Sequence, residues 1–224
     1  MTAVGYQYVR ERLSLPVLPL SSPAAVRGVT RVERLGTGLA VPASMAPGPD
    51  LVSHLLFALK HEGTNLALLT AACEHLEPGQ LLQALRATPQ GRYIRKLCML
   101  WEESTGRQLE DLPAGLGGPT HPVFDPEIYI TTASRQRNRR WHVTFNGLGD
   151  WSFCPTVRRT PELAELLVAD PLGQVREFLK DVSKEQIERV LAWAYLHETR
   201  SSYEIEGERP PGNKTEAFAA LLRK

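Results

Sequence analysis

A hydroxyl, a carboxylate and a glycine stand at fixed spacing in the stretch SSYEIEGERP, close to the end of this sequence. Ser202 and Glu206 are four residues apart, and residues at that spacing share one face of a helix. Gly207 follows at once and is typical of the residue just after a helix C-terminus. The helix dipole disfavours a negative charge there by about 0.3–1 kcal/mol, and Glu204 and Glu208 add to the negative charge. Glu206 is therefore poorly satisfied within its own helix.

A second candidate site is the segment SRQRNRRWH, which holds four arginines within six residues beside Trp141. The four are Arg135, Arg137, Arg139 and Arg140. Arginines can clamp phosphates, and a tryptophan can stack on a base, so Arg137, Arg139 and Arg140 are candidate phosphate or nucleic-acid contacts. The alternative, which base rates favour, is a solvated hairpin turn with Trp141 folded inward.

Other patterns that carry chemistry are absent from the sequence. It has no HExxH, no P-loop, no dinucleotide-binding glycine pattern and no Ser-His-Asp set. His121 opens the stretch HPVFDP, which lacks phosphate-cradling glycines and is predicted to be a turn. Cys73, Cys98 and Cys154 are widely spaced and form no CxxC pair, so we expect buried free thiols and no metal site.

Composition places the chain among ordinary globular proteins. Of 224 residues, 42% are hydrophobic and 23% charged, and the net charge is +1. A charge this small argues against a nucleic-acid partner. The N-terminus lacks the apolar region of a signal peptide, and no apolar run is long enough to span a membrane. These features predict a cytoplasmic protein without a membrane partner.

Periodicity predicts a mainly α-helical chain, a helical bundle with a small β-hairpin element. Residues 1–48, rich in Pro, Gly and Ser, are expected to form an extended arm with at most one short helix or strand. Residues 49–160 are expected to contain a helical layer followed by a hairpin or two irregular extended segments near residues 127–146. The four helices are predicted in DLVSHLLFALKHEG, NLALLTAACEHL, PGQLLQALRAT and GRYIRKLCMLWEESTG.

Residues 161–224 are expected to be helical again and to carry the Ser202–Gly207 motif. Thr160 is a predicted N-cap before a proline, and Ser183 with Gln186 forms the pattern of a capping box. A last helix is predicted in KTEAFAALLRK.

The stretch SYEIEG matches S/T-x-x-x-E-G/N, the inhibitory motif of Fic-family (cell filamentation, Fic/DOC) proteins. The longer HETRSSYEIEGERP resembles the segment that precedes the catalytic core in many bacterial members. LLFALKHEGTNLALL, GRYIRKLCMLWEESTGRQL and HVTFNGLGDWSFCPTVRRT resemble the helical and loop regions upstream of it. The resemblance covers most of the chain from about residue 50.

This resemblance implies a regulatory role. Fic-family proteins move adenylate from ATP to a protein hydroxyl, and ATP and Mg are implied for their core. The motif's glutamate pairs with a core arginine that otherwise binds the γ-phosphate of ATP. By resemblance, Glu206 would take that arginine in a bidentate pair. Ser202 would either fix the helix by capping or bond to the core, and Gly207 would allow a tight turn after the helix.

One departure bears on activity. The family's catalytic loop reads H-P-F-x-x-G-N-G-R, and this sequence contains no such stretch. The resemblance therefore implies no catalytic residue here and no cofactor in this chain. The implied partner is a Fic catalytic core, in cis or in trans, whose target protein stays open. The alternatives are a separate antitoxin-like inhibitor of a Fic toxin and a nucleic-acid-binding helical module.

Overall fold

The chain divides into two compact units, Met1–Arg159 and Thr160–Lys224. The computed structural model describes residues 2–205 and residue 207. The division lies one residue from the boundary expected between the second and third predicted segments. Each unit is described by itself below.

The N-terminal unit contains five α-helices and seven short strands among its described residues. The helices are α1 (Gly5–Leu13), α2 (Leu51–His61), α3 (Leu66–Cys73), α4 (Pro78–Ala87) and α5 (Arg92–Thr105), with a 3₁₀ turn at Ala43–Met45. The strands are β1 (Ala3–Val4), β2 (Ala24–Val26), β3 (Glu33–Leu35), β4 (Gly38–Val41), β5 (His121–Pro122), β6 (Gln136–Asn138) and β7 (Val143–Phe145).

The strands form two small mixed sheets. The first has the order β1-β2-β4-β3, in which β2 and β4 are parallel and the other pairs antiparallel. The second has the order β5-β7-β6, with β5 parallel to β7 and β6 antiparallel to it. The coarse prediction of a helical chain with a small β element is confirmed, but two sheets on one helical layer make a mixed α/β arrangement.

The four predicted helices of residues 50–106 are present, and local capping explains their limits. The Asp50 carboxylate accepts a hydrogen bond from Ser53 N at 2.8 Å at the start of α2. The Asn65 side chain accepts one from Leu68 N at 3.1 Å at the start of α3. Gly106 ends α5 in the left-handed region, at φ 66°.

Residues 1–48 do not form an extended arm, which corrects the sequence prediction. They supply α1 and the whole first sheet, and Val4, Tyr6 and Val9 are buried. The first amide groups of α1 are satisfied by side chains in and just after α2. His54 Nδ1, in α2, accepts from Gly5 N at 3.1 Å, and Glu62, just after α2, accepts from Tyr6 N at 2.9 Å. The prolines and glycines in the flanking residues favoured the prediction of an extended segment over that of a helix.

The predicted β element is partly wrong. RRWHVTFNG supplies β7, but EIYITTA forms no strand and contributes only an isolated bridge between Tyr129 and Arg158. The antiparallel partner of β7 is β6, taken from the polar SRQRN segment, with Arg137 opposite Thr144. HPVFDP is not simply a turn, because His121 starts β5 and the turn follows at Asp125, whose carbonyl accepts from Ile128 N at 3.0 Å.

One large apolar cluster joins α1–α5 to the second sheet. Trp101 and Trp141 are its largest members, and each indole N–H is satisfied. The Trp101 indole donates to Leu76 O at 3.2 Å, and that of Trp141 donates to Glu102 Oε2 at 2.6 Å. These bonds lower the cost of burying the two polar groups.

All three cysteines are free thiols, as predicted. Cys73 and Cys98 are fully buried in the apolar cluster, whereas Cys154 is half-buried. Burial raises the pKa of Cys73 to about 12 and raises that of Cys98 as well. Neither buried thiol has appreciable thiolate character at neutral pH.

The C-terminal unit consists of helices in its described part: α6 (Pro161–Ala169), α7 (Pro171–Leu179) and α8 (Lys184–Ile205). Thr160 Oγ1 accepts from Leu163 N at 3.2 Å, as its predicted N-cap role requires. The predicted capping box is complete, because Ser183 N donates to Gln186 Oε1 at 3.1 Å and Gln186 N donates to Ser183 Oγ at 3.2 Å.

Large apolar side chains of this unit are exposed, among them Val168, Phe178 and Trp193. The helix predicted in KTEAFAALLRK lies outside the described residues. Within the described part of the chain, no helix combines the length and apolar character needed to cross a membrane.

Candidate functional site

The predicted inhibitory motif lies at the end of α8. Ser202 is exposed in the last turn, the helix ends at Ile205, and Gly207 adopts the left-handed conformation at φ 70°. The Gly207 N–H donates to Glu204 O at 3.2 Å. Glu206 lies outside the described residues, so its role stays a prediction.

The arginine-rich segment does not present a stacking platform. Trp141 has no exposed surface, so it cannot stack on a base. Arg140 is engaged, because its Nε lies 3.2 Å from Glu102 Oε1 and its Nη2 donates to Leu109 O. Arg137 lines a small cavity of about 300 Å³, and Arg139 is exposed in the turn between β6 and β7.

The structure gathers polar side chains instead at a cleft of about 500 Å³ in the N-terminal unit, here called the polar cleft. It lies where the end of α2, the start of α5, β5 and the segment before residue 159 meet. Its polar lining includes Arg34, Glu62, Arg92, Lys96, His121 and Arg158. Apart from His121, sequence reasoning gave no specific part to these residues.

Lys96 is the most buried cation of the polar cleft. The residue is 8% exposed, and its Nζ donates to Val123 O at 2.7 Å. Thr64 Oγ1 donates to the same carbonyl at 2.8 Å, which fixes the lysine against the start of α3. Burial lowers the pKa of Lys96 to about 8. The ammonium form therefore still predominates at neutral pH, although it is largely desolvated.

Arg92 and His121 complete this end of the polar cleft. Arg92 precedes Lys96 by one turn of α5, so both cations project from one helix face. The Arg92 guanidinium lies 4.5 Å from the centre of the Tyr93 ring, which it covers. Burial, followed by the charges of Arg95, Arg92 and Lys96, lowers the pKa of His121, which favours the neutral imidazole.

Glu62 marks the opposite end, beside Arg34 and Arg158. Its Oε1 accepts from Tyr6 N at 2.9 Å, and Arg158 Nη2 donates to its backbone carbonyl at 3.4 Å. Burial raises the pKa of Glu62 to about 7, against the opposing effects of the Tyr6 hydrogen bond and the charge of Arg34. Glu62, Arg34 and Arg158 also line an adjoining cavity of about 370 Å³.

Gly63 and Tyr129 form the floor between the two ends. The Tyr129 hydroxyl accepts from Thr64 N at 3.0 Å and donates to Thr64 O at 3.3 Å. Gly63 has φ 93°, and any Cβ placed on it would overlap the Tyr129 hydroxyl. The glycine is needed both for its backbone conformation and for the close approach of the ring.

The sequence does carry one signal for this site. Lys96 follows Arg95 in the first half of α5, where Ile94 and Leu97 on either side are apolar. The helix is buried from Ile94 through Trp101, so both basic residues lie inside the fold. Charged residues are almost never fully buried without a partner. A basic pair within an apolar run of a helix therefore indicates buried cations that need a partner.

Comparison of the chain with protein families, curated proteins and solved structures finds no match. Chemically, the polar cleft can bind an anion at the Arg92–Lys96 end and offers a carboxyl group that titrates near neutrality at the Glu62 end. No group of His, Cys, Asp and Glu side chains suited to a metal ion occurs among the residues described.

Proposed function

We propose that this chain is the N-terminal regulatory region of a Fic-family protein adenylyltransferase. It holds an inhibitory helix, α8, against a catalytic core supplied in cis or in trans. Glu206 competes there with the γ-phosphate of ATP for a core arginine, since a carboxylate and a phosphate are alternative partners for one guanidinium. ATP and Mg bind the core, and the complex is cytoplasmic. The N-terminal unit is a Fic-like N-terminal region with a helical layer at its centre.

The observation that carries the proposal is the position of the helix end. Helix α8 continues through Ser202 to Ile205, and Gly207 turns the backbone into the left-handed region directly afterwards. In the sequence, Glu206 directly follows Ile205, the last residue of this helix. Such a position is unfavourable for an isolated glutamate and becomes favourable beside a cation.

Exposed apolar side chains in the same unit support a docking role. Val190 and Trp193 on α8 are 66% and 67% exposed. Isolated exposed residues need no explanation, but several large ones on helices of one small unit are typical of a surface that packs against a second module. The Fic core is the partner that the motif implies.

Alone, the chain is expected to transfer no AMP, because it lacks the catalytic loop. The measurement incubates the purified chain with ATP labelled at the α-phosphate and with candidate acceptor proteins, including itself. An active Fic core in the same assay is the positive control. Transfer of label by the chain as sole enzyme would contradict the proposal.

In a protein that joins this chain to a Fic core, Glu206→Gly is expected to raise AMP transfer at least about tenfold. The carboxylate no longer occupies the core arginine, and each tenfold of release corresponds to about 1.4 kcal/mol of lost competition. The rate of label incorporation into protein checks this result.

Two further variants separate the carboxylate from the helix. Glu204→Gly removes a charge and adds a glycine in the same helix turn, and it is expected to leave AMP transfer within about twofold of the parent protein. Glu206→Gln keeps the side-chain shape and is expected to release activity as Glu206→Gly does. Unchanged activity in both Glu206 variants would refute the inhibitory role.

A further inference from the structure

We propose that the polar cleft is a binding site for a phosphorylated small molecule, whose phosphate group binds between Arg92, Lys96 and His121. This site belongs to the N-terminal unit and is independent of the inhibitory helix and of any catalytic core. Such a ligand fits the excess of positive charge, the unused hydrogen-bond donors and the size and polarity of the cleft.

Cations outnumber carboxylates in the lining of the polar cleft. Five basic side chains line it, namely Arg34, Lys60, Arg92, Lys96 and Arg158. Within the described part of the chain, none of the five makes an ion pair with a carboxylate within 4.0 Å; the pairs present join other basic residues. Three carboxylates, Glu62, Asp125 and Glu127, also line the cleft and are fewer than its five cations. An anion in the cleft would relieve the remaining repulsion between the cations.

Lys96 provides the strongest evidence that the cleft binds an anion. An ammonium group has three donors, and among the described residues the Val123 carbonyl is the one hydrogen-bond acceptor of Lys96 Nζ. The residue is more than nine-tenths buried, so bulk water is largely excluded from the remaining donors. A buried charge is costly unless it is paired, and an anionic oxygen in the cleft would supply the missing partner.

Arg92 and His121 extend the same donor set. The Arg92 guanidinium lies over the Tyr93 ring, and Arg92 Nη2 donates to the Tyr93 hydroxyl at 2.5 Å. The other guanidinium N–H groups can bind two oxygens of one phosphate. The neutral His121 imidazole offers one further donor. A phosphate monoester presents three oxygens and nearly two negative charges at pH 7, which suits two cations and a neutral donor better than a carboxylate does.

The rest of the polar cleft indicates a ligand larger than a bare anion. Asp125 and Glu127 also line it, and Glu62 lies toward the far end. These carboxylates accept hydrogen bonds, so they suit hydroxyl groups on the body of the ligand. A cleft of about 500 Å³ falls within the size range typical of small-molecule sites.

The test titrates the isotope-labelled full chain with three probes at constant ionic strength: inorganic phosphate, ribose 5-phosphate and ribose. We expect saturable NMR shifts of Lys96 Nζ and the His121 imidazole with both phosphates, at a dissociation constant of about 1 mM or lower. Ribose, which lacks the phosphate, is expected to give none. Absence of saturation with both phosphates, or equal binding of ribose and ribose 5-phosphate, would overturn the proposal.

Variants localise the binding. Arg92→Gln changes an exposed side chain, so the fold should be retained, and affinity for ribose 5-phosphate should fall at least about tenfold. Lys96→Met keeps a long side chain in the buried position and should have the same effect. Arg12→Gln removes an exposed arginine of α1 that does not line the cleft and is the matched control, expected to bind as the parent does. If Arg92→Gln folds and binds like Arg12→Gln, the site is not the one proposed.

Discussion

Glu62→Gln is expected to stabilise the folded protein at about pH 8 by up to about 3 kcal/mol, while changing its stability little at about pH 4. The reason is the cost of ionising a largely buried carboxyl group. Burial raises the pKa of Glu62 from 4.5 to about 7 in the folded protein. Glutamine keeps the acceptor oxygen that binds Tyr6 N and carries no charge at any pH.

The direction follows from proton binding. Between about pH 4.5 and pH 7 the folded protein retains the Glu62 proton that the unfolded chain has lost, so stability from this group falls as pH rises through that window. Below the window both states are protonated, and the variant gains nothing. Urea-induced unfolding at a series of pH values measures the difference between the two proteins.

A matched control separates Glu62 from the rest of the polar cleft. Burial lowers the pKa of His61 and that of His121; both residues are present in both proteins, so their contributions largely cancel in the difference. Glu127→Gln neutralises an exposed carboxylate of the same cleft and is expected to keep the pH dependence of the parent. A parallel pair of stability curves for the parent and Glu62→Gln would contradict the raised pKa.

Gly63→Ala is expected to lower the free energy of unfolding by about 3 kcal/mol or more. An alanine at φ 93° is strained by about 1–2 kcal/mol, and its Cβ would overlap the Tyr129 hydroxyl. If the ring shifts to avoid the methyl group, the Thr64 amide loses its acceptor, which costs a further 1–3 kcal/mol or so. Chemical denaturation of the parent and the variant measures the loss.

Gly36→Ala provides the backbone control. Gly36 also has a positive φ, 58°, but a Cβ there would meet no atom within 4 Å. We expect a loss of about 1 kcal/mol from conformation alone. If Gly63→Ala costs no more than Gly36→Ala, the steric part of the argument is wrong.

A double variant tests the contact itself. Tyr129→Phe in the parent removes the acceptor of the Thr64 amide and should cost about 1–3 kcal/mol. In the Gly63→Ala background the same change removes the overlapping hydroxyl, so it should cost less or restore stability. The non-additivity of the two changes reports the direct contact between Gly63 and Tyr129.

The features that could be predicted from the sequence depend on residues that are close together in the chain. Helices α2, α3 and α5 begin and end at residues whose side chains or backbone conformations act within four positions, such as Asp50, Asn65 and Gly106. The same holds for the capping box of Ser183 and Gln186 in the C-terminal unit. These signals are independent of tertiary context, so the predicted helices are found in the structure.

Non-local features could not be predicted in this way. The strand β6 is polar and exposed on two of its three residues, so hydrophobic alternation does not indicate it; pairing with β7 forms it. The polar cleft joins Glu62, Lys96, His121 and Arg158, which span almost a hundred residues of sequence. The proximity of these four side chains depends on tertiary packing. The basic pair within the apolar run of α5 is the one local sequence signal that indicates the cleft.

The different environments of the three thiols have a practical consequence. A maleimide added to the native protein is expected to react first with Cys154, which is half-buried, because Cys73 and Cys98 are fully buried inside the apolar cluster. A single fluorophore can therefore be attached without mutagenesis, and it would sit on the segment that leads to Arg158. Reaction of a second and third equivalent of maleimide, with Cys73 and Cys98, would then report unfolding of the apolar cluster.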